Sequence, residues 1–256
     1  MSHPVYDASH DWTHVRRVLS LSLHLHSIES THDCPPYSRT IIILAALLHD
    51  CADRKYYPTL SSRTNLAELL PLAKFVQLYP ENLAELILEY HGAAPELAHA
   101  VQEVINGMSY SSEIAKPERT RSTLEKHPEL AIVQDADRLD ALGAVGIART
   151  FTYGGAVQGR MSANTRDDGS QVRDGFSAER RVGKGLESTI EHFTEKLERL
   201  EGMMKTGEGR RLAREGTERL RVFKRWWDEE ATLGSGRGHQ HGECERSMGD
   251  GSRRVG

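Results

Sequence analysis

The run Ile41-Ile-Ile-Leu-Ala-Ala-Leu-Leu48 ends on His49-Asp50, and this junction constrains the fold more than any other stretch of the chain. A continuous apolar run of this kind predicts a buried central helix over residues 38–51. Its end then carries an imidazole and a carboxylate into the interior. Burying a carboxylate costs several kcal/mol unless a cation or strong donors satisfy it. A bound metal ion would satisfy both residues at once. The competing reading is a His–Asp pair satisfied by each other or by backbone.

His-Asp also occurs at His10-Asp11 and His32-Asp33, so the dipeptide alone decides little. His32-Asp33 sits in a polar stretch before Cys-Pro-Pro and reads as a solvated loop. Only His49-Asp50 ends an apolar helix. Asp53 lies four residues after His49 and three after Asp50, on the same face if the helix continues. Two carboxylates and an imidazole on one face call for a cation among them.

The rest of the chain reads as helix. Val15, Val18, Leu19, Ser22, Leu23 and His26 have helical spacing, with Thr13 or Asp11 as the cap. Residues 65–78, 81–90, 95–108, 129–150, 186–204 and 217–233 follow the same rule, and Pro128 opens the 129–150 helix. Residues 109–112 and 115–117 read as loop. Residues 154–185 are rich in Gly, Ser, Arg and Asp and read as a long loop or insertion. No set of alternating strands is present, so the expected class is all-α. One domain over residues 1–233 is expected, followed by a disordered, Gly-, Ser- and Arg-rich tail at 234–256. Phe223 and Trp226-Trp227 are expected to pack the last helix onto the core.

The charge balance is nearly even, 33 basic against 37 acidic residues, which speaks against electrostatically driven nucleic-acid binding. A small anionic substrate needs only a local positive cluster. Cys34, Cys51 and Cys244 are odd in number and widely spaced, so neither a disulfide framework nor a Cys-type zinc site is expected. The start lacks a signal peptide pattern, and residues 41–48 are too few to span a bilayer. A reducing, cytoplasmic setting without membrane attachment is expected; a homodimer is left open.

Further candidates lie outside the central helix. His14 begins His14-Val-Arg-Arg-Val18 on a helix expected to pack against the central one. Residues 133–149 mix Asp135, Asp137 and Asp140 into an apolar, small-residue stretch, and spacing does not tell which aspartate points inward. Lys55 and Arg149 are candidates for holding phosphates, since charge-assisted bonds to phosphate oxygens are strong. Arg16, Arg17 and Arg138 are weaker candidates. His91 reads as a helix cap rather than a ligand or proton donor. His239, His241 and Cys244 have metal-like spacing but lie in the tail.

The order His14 … His49-Asp50 … Asp137 resembles the HD-domain superfamily of metal-dependent phosphohydrolases. The fuller stretches Ser9-His-Asp-Trp-Thr-His-Val-Arg-Arg-Val18, Leu48-His-Asp-Cys-Ala-Asp-Arg-Lys-Tyr56, residues 134–151, and His192-Phe-Thr-Glu-Lys-Leu-Glu-Arg-Leu200 with Met204-Lys-Thr206 are similar to one branch of it. That branch comprises small soluble bacterial and fungal HD hydrolases associated with nucleotide pyrophosphohydrolase activity. The resemblance covers roughly residues 5–153 and 186–230; residues 154–185 depart from the branch in length and composition. It implies a compact helical fold with His14, His49, Asp50 and Asp137 as metal ligands, Asp137 being preferred to Asp135 because Ala136-Asp-Arg-Leu-Asp-Ala-Leu142 matches the final motif.

Two imidazoles and two carboxylates suit Mn, Fe, Co, Ni or Zn, with Mn placed first; Mg prefers more oxygen ligands. Such an ion would activate a water as nucleophile and clamp a phosphate oxygen. Asp53 would orient or deprotonate that water. The expected substrate is a nucleotide or related phosphate ester, with a (deoxy)nucleoside triphosphate and pyrophosphate release placed first. Phosphodiesterase action on a cyclic or linear nucleotide, and non-catalytic nucleotide binding, are the alternatives.

Overall fold

The computed structural model describes residues 12–30, 37–51, 79–163 and 185–234. Several expectations fall outside them: the helix at 65–78, the cap at Asp11, Asp53 and Lys55, the His32-Asp33 loop, and the tail with His239, His241 and Cys244. Among the described residues every regular element is a helix, and the fold is all-α. No helix of these residues is long and apolar enough to cross a membrane.

Helix α1 spans Trp12–Glu29 and buries His14, Val18, Ser22 and Leu25, a set spaced to fall on one face. Helix α2 spans Arg39–Leu48, and the Ser38 hydroxyl caps it by accepting the Ile41 N–H at 3.4 Å. Ile42, Ala45 and Ala46 of α2 are fully buried, while its other residues keep partial exposure, so the run is less uniformly enclosed than its composition predicts. The two alanines allow close approach, and α2 packs on α1.

A 3-10 turn, Pro80–Asn82, leads into α3, Leu83–Tyr90, which packs on α4, Pro95–Gly107. His91 ends α3: its backbone N–H donates back to Ile87 and Leu88, so the capping role expected for it is the one observed. Most of residues 109–112 and 115–117, expected as loop, are helical, Ser109 and Lys116 staying outside the helices. The stretch forms α5, Tyr110–Ala115, with the Ser109 hydroxyl accepting from the Ser112 N–H, and the start of α6, Pro117–Lys126.

The helix expected over 129–150 is two. Helix α7 spans Glu129–Leu139 and α8 spans Gly143–Ala163. The break falls where Gly143 adopts a φ of 64°, a left-handed backbone that favours glycine. Helix α8 runs ten residues into the segment read as loop. Gly154 in that stretch serves close approach: a Cβ there would stand 2.6 Å from the Thr189 hydroxyl of the next helix. That helix, α9, spans Gly185–Glu195, and the chain tightens to a 3-10 turn over Leu197–Met203 instead of continuing as α-helix to 204. Phe193 is fully buried and meets Phe151 edge to face at 6.2 Å.

The last helix, α10, covers Gly207–Gly234 and starts ten residues before the expected position. The chain divides into two compact units, Met1–Arg221 and Val222–Gly256, with the division inside α10. In the second unit Trp226 is 58 % exposed, which corrects the expectation that it packs into a core.

Helix α7 organises the first unit. It packs against α1, α2, α4 and α6, and Leu130, Ile132, Val133 and Ala136 have no exposure. Each such aliphatic side chain contributes about 1.5–3 kcal/mol by leaving water. The aspartates of α7 are therefore held on a rigid, deeply packed element.

Candidate metal centre

Three elements converge. His14 stands in the first turn of α1, on the face that meets α2 and α7. His49 follows the last residue of α2 and keeps helical backbone angles. Its Nδ1 lies 2.9 Å from the Ala46 carbonyl, which accepts its proton and aims Nε2 away from the helix. Asp50 comes next, and α7 brings Asp137.

The two Nε2 atoms are 3.2 Å apart. His14 Nε2 lies 3.5 Å from Asp50 Oδ2 and 3.4 Å from Asp137 Oδ1. His49 Nε2 lies 3.5 Å from Asp50 Oδ1 and 3.9 Å from Asp137 Oδ1. One ligand atom from each of His14, His49 and Asp50 lies within 4.8 Å of the others. Two atoms each about 2.1 Å from one ion stand about 3.0 Å apart at a right angle and about 3.4 Å apart at the tetrahedral angle. The observed spacings lie close to those values, and the donors are two imidazoles and two carboxylates, a mixed set that suits a divalent transition metal. The residues fit such an ion.

The side chains of His14 and His49 are 1 % and 4 % exposed, those of Asp50 and Asp137 20 % and 35 %. The imidazoles are nearly closed off from solvent, and the carboxylates keep partial exposure.

Asp140 is the candidate aspartate to which the sequence assigned no role. It is 2 % exposed, and its Oδ2 lies 2.7 Å from His14 Nδ1. Its carboxylate also accepts from Arg17, Nε to Oδ1 at 2.6 Å and Nη2 to Oδ2 at 3.0 Å, and from Arg149 Nη1 at 2.8 Å. Spacing held the clue: residues three apart on a helix share a face, so if Asp137 faces the centre, Asp140 does too.

Burial works against charge on His14, but its bonds to Asp137 and Asp140 raise its pKa to about 9. Burial likewise opposes ionisation of Asp137 and Asp140. For Asp137 the His14 bond and the nearby positive groups win, and for Asp140 the bonds from His14 and Arg17; both stay below the usual carboxylate range. Burial, with Asp50 beside it, pushes the Cys51 thiol up to about 11.

Asp135 faces elsewhere. It has no exposure, and its carboxylate accepts from the backbone N–H groups of Lys205 and Thr206 and from the Thr206 hydroxyl, at 2.7–3.0 Å. Arg138 is also turned away, paired with Glu113 and donating to the Met203 carbonyl. Arg149 stands at the edge of the centre through Asp140, and Arg17 joins it there; Arg16 is exposed.

A model of the HD domain matches residues 11–142, which contain the whole cluster. The chain belongs to the HD-domain family. It is similar to YpgQ of Bacillus subtilis (strain 168), 33% identical over 81% of this chain and 78% of that protein. Among solved structures it resembles YpgQ in complex with ADP, with TM-score 0.55 and 28% identity over 89% of this chain and 92% of that one. It also resembles an HD-superfamily hydrolase from Bacillus thuringiensis, with TM-score 0.51 and 28% identity over 87% of each chain. A Lactobacillus plantarum protein matches with TM-score 0.58 and 25% identity over 90% of each chain.

Proposed function

We propose that this protein is a divalent-metal-dependent phosphohydrolase acting on nucleotides in the cytoplasm, with a (deoxy)nucleoside triphosphate as substrate and pyrophosphate as leaving product. The observation that carries the reading is the convergence of His14, His49 and Asp50 at ligand spacing, with Asp137 Oδ1 3.4 Å from His14 Nε2. The likeness to a protein crystallised with ADP supports a nucleotide, and the likeness to an HD-superfamily hydrolase supports hydrolysis.

These four residues would hold the ion, with Mn2+ the first choice. When bound, such an ion supplies Lewis acidity and a lowered pKa for water, worth several kcal/mol of charge stabilisation. The chain's own residues supply the rest. His14 and His49 exclude solvent beneath the reacting phosphorus. Arg149, with Lys55, draws the phosphates to the centre by charge. Asp53, four residues after His49, orients the attacking water and accepts its proton. The water oxygen bonds to the α-phosphorus, the α–β P–O bond breaks, and pyrophosphate leaves with the electron pair.

Metal analysis of the purified protein, then a nucleotide panel with added Mn2+, tests this reading. Inorganic phosphate and pyrophosphate are assayed separately, with Asp50→Ala as control. Pyrophosphate release that vanishes in the variant is expected. A wild-type protein that hydrolyses no nucleotide with any divalent ion, or hydrolyses equally well after exhaustive chelation, overturns it.

A further inference from the structure

Asp140 lies between two guanidinium groups and an imidazole, nearly closed off from water. Arginine donates hydrogen bonds and never accepts them. Both Asp140 oxygens already receive Arg17, and Oδ2 also receives Arg149. A carboxylate so engaged offers His14 Nδ1, at 2.7 Å, an acceptor and nothing else. His14 therefore carries a proton on Nδ1. In the neutral imidazole the lone pair is then on Nε2, the atom that faces His49, Asp50 and Asp137.

His49 reaches the same state by another device, since its Nδ1 is tied to the Ala46 carbonyl. One imidazole is set by its own helix backbone. The other depends on a side chain far away in sequence.

We propose that Asp140, clamped by Arg17 and Arg149, is the positioning residue of the metal centre, fixing the His14 ring and tautomer so that Nε2 meets the ion. The proposal rests on the metal-centre reading above. An oriented carboxylate of this kind behind a ligating histidine is typically worth about 10- to 100-fold in metal affinity. Asp140→Asn tests the tautomer directly. An amide has one acceptor and one donor group, so its NH2 opposes Arg17 on the Oδ1 side, or on the Oδ2 side opposes Arg17 and Arg149 and faces His14 Nδ1, favouring the tautomer with the proton on Nε2.

The experiment uses Zn2+ as a diamagnetic probe of the full chain. Its Kd is measured for wild type, Asp140→Asn and Asp135→Asn, and the ring nitrogens of His14 are observed by NMR in the loaded wild-type protein. Asp135→Asn is the control, because it changes a buried carboxylate on the same helix that does not touch His14. Expected are a proton retained on His14 Nδ1 and none on Nε2, a Kd weakened about 10- to 100-fold in Asp140→Asn, and a Kd close to wild type in Asp135→Asn. A His14 protonated on Nε2 in the loaded protein, wild-type affinity in Asp140→Asn, or an equal loss in Asp135→Asn overturns the proposal. The NMR result stands even where Asp140→Asn folds poorly. A wild-type protein that binds neither Zn2+ nor Mn2+ contradicts the metal-centre reading itself, and the proposal with it.

Discussion

Helix α7 carries acidic residues on two faces, and the two faces do different work. On one, Asp135 accepts from Lys205 and Thr206, and the nearby Glu113 receives Arg138, Lys205 and Gln134. Each negative charge there has positive charge or several donors against it, and the cluster is closed. On the other, Asp137 and Asp50 gather around two imidazole nitrogens and stay partly open to solvent. The carboxylates of the first face are matched by donors and positive charge, while those of the second stand among imidazole nitrogens at ligand spacing. The first holds the helix in place; the second is where chemistry is expected.

Removing one aspartate from each face sharpens the contrast most. Asp137→Ala should lower turnover by about 10³-fold or more, since a metal contribution of several kcal/mol is lost. Its stability cost should stay near about 1 kcal/mol, because the group is 35 % exposed and its ion pairs are screened. Asp135→Ala should do the reverse. It strands buried donors from Lys205 and Thr206 and should cost about 3 kcal/mol in urea unfolding, while the folded fraction keeps its turnover. Equal effects of both variants on turnover would dissolve the distinction.

A smaller effect is expected at Gly209, which lets α10 approach the closed face. A Cβ there would stand 2.4 Å from the Thr206 hydroxyl and 2.5 Å from Asp135 Oδ2. Gly209→Ala should destabilise by about 1–3 kcal/mol through overpacking, read as a lower urea midpoint.

Acid titration separates the faces further. Burial raises the Glu113 pKa, but the bonds from Arg138 and Lys205 prevail and hold it below its ordinary value. The stability this carboxylate contributes is thus fully present above its unfolded pKa of about 4.3. It is lost as pH falls through the lower folded value. Glu113→Gln should flatten the fall in the urea midpoint between about pH 5 and pH 3. An unchanged acid limb would show that Glu113 does not contribute. The smallest effect lies at the start of α2, where Ser38→Ala should cost about 0.5–1 kcal/mol.

Much of this was legible in the sequence. The apolar run of α2 and the face shared by His14, Val18, Ser22 and Leu25 declare their helices because burial imposes the helical period. The choice of Asp137 over Asp135 came from a motif, and spacing alone left it open. Which way each aspartate turns is decided by α7 packing on four helices at once. Asp140 was a candidate without a role because its partners, Arg17 and His14, are remote in sequence. Residues 154–163 misled because glycine is a poor helix former by propensity, yet Gly154 sits where only a hydrogen fits beside Thr189. Asp53 and Lys55 lie outside the described residues and remain assigned by spacing and charge.

Anomalous diffraction from crystals loaded with Mn2+ tests the central claim most directly. One peak should lie about 2.0–2.3 Å from His14 Nε2, His49 Nε2 and a carboxylate oxygen of each of Asp50 and Asp137. A protein that takes up no ion at these four side chains, or binds it only elsewhere, would contradict the account.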